Sequence, residues 1–415
     1  MKNIAAVILA AGRGTRMKSK LPKVLMKLHS RPLLEFVINT LDAVPVTKKV
    51  LVVGFEANMV KNAFPGIETV VQDELLGSGD AVKKAKAALS RFKGDILVIC
   101  GDTPFISKET IRKLVKRHRK DKASCTLLTA NVSDPEGYGR ILRDTEGAII
   151  NIVEEKDASV YEKSIGEINV GCYFFAKKDL FSSLEKVKMN AKKGEYYLTD
   201  VIGMLAKGSG KISSVNCEDP MEAHGINSRL DLAKAGKIIK ESASDLLMLN
   251  GVTIVDPNTT YIDMDAKIER DTVIYPNTVI ERDVIIGKDC RIGPFARIRR
   301  GTRIDDNVEI GNFVEIVRST ISTGTKIKHL SYFGDAKIGR NVNVGAGTIT
   351  ANYDGKKKNK TIIENDASIG VGVVLIAPVK IGRKATVGAG SVVTKNKNVP
   401  PRATFVGVPA KLLKR

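Results

Sequence analysis

Residues 261–316 read YIDMDAKIERDTVIYPNTVIERDVIIGKDCRIGPFARIRRGTRIDDNVEIGNFVEI, with an isoleucine on every sixth position. Ile262, Ile268, Ile274, Ile280, Ile286, Ile292, Ile298, Ile304, Ile310 and Ile316 hold that step without a slip. Four residues after each comes a small or β-branched side chain, among them Ala266, Thr272, Val284, Cys290 and Thr320. An α-helix repeats every 3.6 residues and a strand every two. A hexapeptide period builds a parallel β-helix instead: six residues form one face of a coil, and the repeated isoleucines stack inside it.

Outward from this stretch, the phase is disturbed over 317–338 and resumes through Ile338 and Val344, then Ile363, Ile369, Leu375, Ile381, Val387 and Val393. Between these runs TANYDGKKKNKT (350–361) interrupts the repeat as a polar loop. Left-handed coils of this kind have flat faces along which copies trimerise, so a homotrimer through the β-helix is expected. A polar loop beside such a seam either completes a site with a neighbouring copy or is a tolerated insertion.

The chain before about residue 227 has another pattern. Strand-like runs at 49–55, 68–72, 95–100 and 125–132 alternate with helical ones at 33–42, 80–90 and 107–119, predicting a mostly parallel α/β sheet. Residues 228–248 read as one connecting helix, with Leu230, Ala233, Ile238, Leu246 and Leu247 favouring one face. Ligands of such sheets bind beyond the carboxyl ends of the strands. Two loops lie there, LAAGRGTRMKSKLPKVL (9–25) and CGDTP (100–104). The first follows an apolar strand and turns on Gly12 and Gly14, as a phosphate-binding loop does. It is neither a dinucleotide fingerprint nor a Walker A loop, because both need glycine where Met17 stands. By itself it is as compatible with a structural turn.

At 415 residues the chain has room for two or three domains. Its net charge of +21 suits polyanionic small molecules such as nucleotides, sugar phosphates and coenzyme A, although a solvated lysine-rich surface also accounts for much of it. No aromatic-rich RNA-binding motif or zinc-finger spacing is present, so no nucleic-acid partner is expected. No apolar run approaches the roughly 20 residues of a membrane span, so no membrane partner is expected. Five scattered cysteines without a C-x-x-C argue against zinc and disulfides and fit a reducing cytoplasm. Lys2 and the apolar run 4–11 mimic a secretory signal, but the run is short and leads straight into Arg13, Arg16 and Lys18, so it reads as a first strand.

The order LAAGRGTRMKSKLPKVL, LGSG (76–79), CGDTP, GYGRI (137–141), IVEEKDA (152–158), EINVG (167–171), GEYYLTD (194–200) and GINSRL (225–230), followed by hexapeptides carrying HLSYFGDA (329–336) and NVGAGTITANYDG (343–355), closely resembles the GlmU family. Members join an N-acetylglucosamine-1-phosphate uridyltransferase to a glucosamine-1-phosphate acetyltransferase. The resemblance implies a Rossmann-like nucleotidyltransferase domain over 1–227, a helical linker over 228–250 and a left-handed β-helix acetyltransferase domain over 251–415. It implies UTP and acetyl-CoA as co-substrates and Mg²⁺ as cofactor.

The reaction chemistry agrees. A sugar-1-phosphate oxygen attacking the α-phosphorus of a triphosphate needs positioned polyanions and neutralised charge. Arg16 and Lys23 are the candidate catalytic cations. Asp102 offers Mg²⁺ a hard oxygen ligand, and the resemblance adds Asn227. It further implies nucleotide contacts at Leu9, Ala10, Ala11, Gly12, Cys100 and Gly101, uracil recognition by Gln72, Gly77 and Ser78, and sugar contacts at Gly139, Glu154, Asn169, Tyr197 and Thr199. Acetyl transfer to an amine needs a base, and His329 falls on the family's base. Arg299, Tyr332, Asn343, Asn352, Tyr353 and Lys358 fall on positions for the sugar phosphate or acetyl-CoA, and Ala346 and Ala389 on the coenzyme groove.

Three departures follow from the same comparison. A family lysine on the sugar phosphate falls on Val317, a serine near acetyl-CoA falls on Val371, and the closing FVGVPAKLLKR lacks a late arginine. Arg318 is the nearest substitute for the lysine, against strand alternation. Two alternatives therefore stand: a β-helix that only trimerises or regulates, and a preference for other sugars in either half, such as glucose-1-phosphate in the first.

Overall fold

The computed structural model describes residues 3–191, 194–208 and 210–413. The chain divides into two compact units, Met1–Ala235 and Gly236–Arg415.

In the first unit one sheet runs in the order Ile212–Asn216, Cys125–Asn131, Glu167–Phe175, Gly94–Cys100, Asn3–Ala10, Val46–Val53, Glu68–Val71. Along this path the strands are parallel except Glu167–Phe175, which is antiparallel to both neighbours; off it, Arg140–Arg143 pairs antiparallel with Glu167–Phe175 and with Ile149–Val153. Strand alternation builds a core on each face. Ile4, Ala6, Ile8 and Ala10 join Leu97 and Ile99 on one side, while Ala5 and Val7 join Ile96 and Val98 on the other. Burial on both faces explains why these strands read as continuous apolar runs. The segment expected to be helical over 80–90 is an α-helix only over Ser78–Lys84. Lys108–Asp121 is a helix capped by Ser107, whose hydroxyl accepts from the Thr110 amide at 3.1 Å.

The helix Arg229–Leu249 forms where expected, but the apolar stripe read for it does not hold. Leu230 and Leu246 are 64% and 62% exposed, whereas Ala235 and Ser244 are buried. Of the stripe, Leu247 does pack against the coil core, so aliphatic spacing signals helical periodicity but not burial along its whole length.

The second unit is the β-helix. Its strands, two to four residues each, stack into three sheets, parallel throughout except that Lys411–Leu412 is antiparallel to Thr404–Val406. Val273 pairs with Arg291 and Arg291 with Glu309, eighteen residues per coil. Glu309 pairs with Lys326 and Lys326 with Asn343, seventeen per coil. The disturbed phase is thus one residue lost at a corner: Ile316 is followed five residues later by Ile321, and Phe333 by Ile338, all four fully buried in the stacked core. Arg318 (φ 49°) and Asp335 (φ 53°) turn these tight corners. Elsewhere the turning residue is commonly Asp or Asn, as at Asp271, Asn277 and Asp289, whose short polar side chains tolerate the left-handed conformation. The loop 350–361 lengthens one coil, from Asn343 to Ser368, to twenty-five residues.

Candidate active sites

In the first unit a cavity of about 470 Å³ opens at the carboxyl ends of the strands. Its walls include Leu9, Ala10, Ala11, Gly12, Arg16, Lys23, Gln72, Gly77, Ser78, Cys100, Asp102 and Asn227. Gly101 stands behind it, its amide donating to the Leu9 carbonyl at 2.9 Å. Lys23 begins a 3₁₀ turn, Lys23–Leu25, after Pro22, and Val24 and Leu25 are buried. Its ammonium pairs with the Asp102 carboxylate and donates to Asn227 Oδ1 at 2.9 Å. Gly14 (φ 61°) makes room, because a Cβ there would lie 2.7 Å from Lys23 Cβ. Asn227 is fixed by its amide, which donates to Asp231 at 3.0 Å, and Ile226 donates to the Asp102 carbonyl at 3.0 Å. Two hard oxygens therefore converge on one cation, a donor set that fits Mg²⁺.

Gln72 is 3% exposed, and its amide nitrogen donates to the Gly77 carbonyl at 3.0 Å and to Asp80 Oδ2 at 2.8 Å. In this orientation its carbonyl oxygen is the half left to accept from a ligand. Burial first, then Asp102, pushes the Cys100 thiol up to about 12, so it lines the cavity as a neutral group and not as a nucleophile.

The predicted sugar residues form a second group. A Cβ on Gly139 would sit 3.6 Å from Asn169 Cβ and 3.7 Å from Glu154 Oε2. Thr199 donates to Glu154 Oε1 at 2.9 Å, and Asn169 donates to the buried Tyr173 hydroxyl at 2.6 Å. Burial raises the Glu154 carboxyl against the lowering effect of Thr199. Burial, then Asp157, pushes the Tyr197 phenol up to about 12, so it remains a donor.

In the β-helix, His329 ends the strand Lys326–His329 with its side chain exposed, and its Nδ1 lies 3.0 Å from Asn312 Oδ1 one coil away. Facing an amide oxygen, Nδ1 carries the hydrogen and Nε2 keeps its lone pair. Asn343 belongs to the same sheet. Arg299 and Tyr332 lie on the neighbouring sheet, where a Cβ on Gly334 would meet the Tyr332 hydroxyl at 2.6 Å and Asn352 Nδ2 at 2.5 Å. Arg299 pairs with Glu315 at 2.8 Å and Glu281 at 3.6 Å. Tyr353 bridges Lys358 across the polar loop, which Asp354 organises by accepting from the amides of Lys356 at 3.1 Å and Lys357 at 2.9 Å. Ala346, Val371 and Ala389 stack at one corner, linked through Gly372 N to Ala346 O and Gly390 N to Val371 O, both 2.7 Å. The residues predicted for acetyl transfer thus occupy two adjoining faces of the coil.

Residues 6–201 match a MobA-like NTP transferase domain, and residues 265–300 and 360–395 match the bacterial transferase hexapeptide, six repeats. The chain is 44% identical to the bifunctional protein GlmU of Shouchella clausii, covering 97% of this chain and 95% of that one. It is 45% identical to GlmU of Pelotomaculum thermopropionicum (91% and 90%) and 43% identical to GlmU of Listeria monocytogenes (94% and 93%). The chain belongs to the GlmU family. It carries both catalytic modules of that bifunctional family, the nucleotidyltransferase domain and the hexapeptide β-helix.

Against the GlmU pattern, Val317 is 3% exposed yet lies outside the stacked core. Arg318 does not replace the missing lysine as a free cation, since it forks onto Asp335 at 2.7 and 2.8 Å. Sequence reading missed Asn312, Asp80 and Tyr138. The Tyr138 phenol, raised by burial, is within electrostatic reach of Asp102, Asp231 and Arg16. It stands in the quoted GYGRI, so that motif held the signal.

Proposed function

We propose that this chain makes UDP-N-acetylglucosamine in two reactions, acetylating glucosamine-1-phosphate in the β-helix and joining N-acetylglucosamine-1-phosphate to UTP in the sheet domain. The convergence of Asp102, Asn227 and Lys23 in the strand-end cavity carries the reading, because phosphoryl transfer needs paired cationic and metal-ligating groups where two polyanions meet. Asp102 and Asn227 would hold Mg²⁺, which when bound neutralises triphosphate and pyrophosphate charge. Arg16, exposed at the cavity wall, and Lys23 neutralise phosphate oxygens as the sugar phosphate attacks the α-phosphorus and pyrophosphate leaves. Backbone groups of Leu9–Gly12 cradle the nucleotide, Gln72 and Gly77 read uracil, and Gly139, Glu154, Asn169 and Thr199 hold the sugar.

In the second reaction His329 Nε2 takes a proton from the amine as its nitrogen attacks the thioester carbonyl. The C–S bond then breaks, and coenzyme A leaves as the thiol after accepting a proton. Arg299, Tyr332 and Asn352 bind the sugar phosphate, while Asn343, Ala346, Tyr353, Lys358 and Ala389 serve the acceptor or coenzyme. The spread of these residues over two faces supports a site closed by a second copy, hence a homotrimer. Five free thiols support a cytoplasmic setting, and among the described residues no helix is long and apolar enough to cross a membrane. Val317 and Val371 favour one second reading, an acceptor other than glucosamine-1-phosphate.

The test is paired assays of pyrophosphate release from UTP with N-acetylglucosamine-1-phosphate and of thiol release from acetyl-CoA with glucosamine-1-phosphate. Arg16→Ala should abolish the first and spare the second, and His329→Ala should do the reverse. Loss of both activities in either folded variant overturns the division of labour. Pyrophosphate release only with another sugar phosphate overturns the substrate.

A further inference from the structure

Lys23 holds a position that the reading above does not explain. Its ammonium lies on the two oxygens assigned to the metal. Side-chain exposures of 15% for Lys23 and 19% for Asp102 leave the pair only partly screened by water. The base of the side chain is fixed by the turn after Pro22 and by its close approach to Gly14, while its tip sits on a flexible stem in the cavity that Leu9–Gly12 and Arg16 also line.

We propose that the Lys23 ammonium is the resident cation of the metal site and that it leaves for the nucleotide phosphates when a divalent cation enters. This rests on Asp102 and Asn227 being the metal ligands. An ammonium and a divalent cation compete for the Asn227 oxygen and for the Asp102 oxygen that the ammonium holds, because three positive charges would then face a single negative one at contact distance. A triphosphate removes the conflict by offering Lys23 other oxygens within the same cavity. Metal alone therefore binds weakly, metal and nucleotide tighten each other's binding, and that coupling is reciprocal. Lys23 thus acts twice: it keeps the ligands paired before substrate arrives, and it neutralises phosphate afterwards.

The experiment measures Mn²⁺ binding without nucleotide, from the free-Mn²⁺ resonance signal and from the Mn²⁺-induced rise in melting temperature. Full-length wild type, Lys23→Met, Asp102→Asn and the double variant are compared, with Lys23→Gln as a substitute if Lys23→Met fails to fold. Removing a charge-assisted contact from both oxygens should tighten Mn²⁺ binding about tenfold or more in Lys23→Met. The double variant should lose that gain. Equal affinity in wild type and Lys23→Met, with Asp102→Asn still weakening binding, overturns the exchange and leaves the metal ligands standing. No effect of Asp102→Asn in either background overturns the metal reading itself.

Discussion

Asn312 Oδ1 lies 3.0 Å from His329 Nδ1, across neighbouring coils whose Cα atoms pair in register. An amide oxygen there would hold hydrogen on Nδ1 and leave the Nε2 lone pair for the amine proton that the proposed acetyl transfer must remove. Asn312 is then a positioning residue. Asn312→Leu should lower acetyl-transfer kcat by about tenfold, below the 10²–10⁴-fold that general-base catalysis supplies and that His329→Ala forfeits. The loss should fall on kcat and leave KM for acetyl-CoA unchanged, since the other tautomer becomes populated, and uridylyl transfer should not change. An unaltered kcat would mean that the contact only packs.

Asp80 acts on base recognition in a similar way. By accepting from the Gln72 amide nitrogen it helps leave the carbonyl oxygen free to accept, and in the proposed reaction that oxygen would take the uracil N3–H. Cytosine has no hydrogen at N3. Asp80→Ala should let the amide rotate, raising KM for UTP several-fold and narrowing the preference of UTP over CTP, because an unpaired buried polar group is what rejects the wrong base. Competition assays with the two triphosphates measure it.

Asn312 and Asp80 also show where sequence reading stopped. The hexapeptide was legible because each face of a coil contributes one isoleucine to the interior, so the period writes the core directly. Arg16, Lys23 and Asp102 were legible as candidates that line one cavity, because strand ends collect ligands. Asn312 is seventeen residues from His329, and only the coil register brings them together. The five-residue steps at Ile316–Ile321 and Phe333–Ile338 appeared in the sequence only as lost phase; that they tighten one corner, and tie Arg318 to Asp335, required the stacked coils.

The proposed sugar contact at Glu154 predicts an acid limb for the sheet domain. Burial raises its carboxyl above the usual value of about 4.3, Asp200, Asp157 and Glu195 add to the rise, and the Thr199 hydrogen bond opposes it. In the proposed sugar contact the charged form would be the stronger acceptor from a sugar hydroxyl, so activity should be highest above this raised pKa and should fall as pH drops through it. kcat/KM for N-acetylglucosamine-1-phosphate should therefore fall at higher pH than an ordinary glutamate would give. Thr199→Val, which removes a lowering contact, should shift that limb further toward neutral, and Glu154→Gln should flatten it.

Arg318 and Asp335 bear on stability. The Arg318 hydrogen bonds hold the Asp335 carboxyl below its usual range, with further help from Asn352 at 2.5 Å. A carboxyl depressed in the folded state stabilises the fold above its unfolded pKa, and that contribution is lost as pH falls through the folded one. Arg318→Met should thus destabilise the β-helix at neutral pH by no more than about 1 kcal/mol, because the arginine is 39% exposed and water screens the pair. The difference in melting temperature between variant and wild type should shrink as the buffer is taken below pH ~4, the ordinary range of an aspartate. A gap independent of pH would assign Arg318 to packing around Val317 and leave the charge pair without effect on stability.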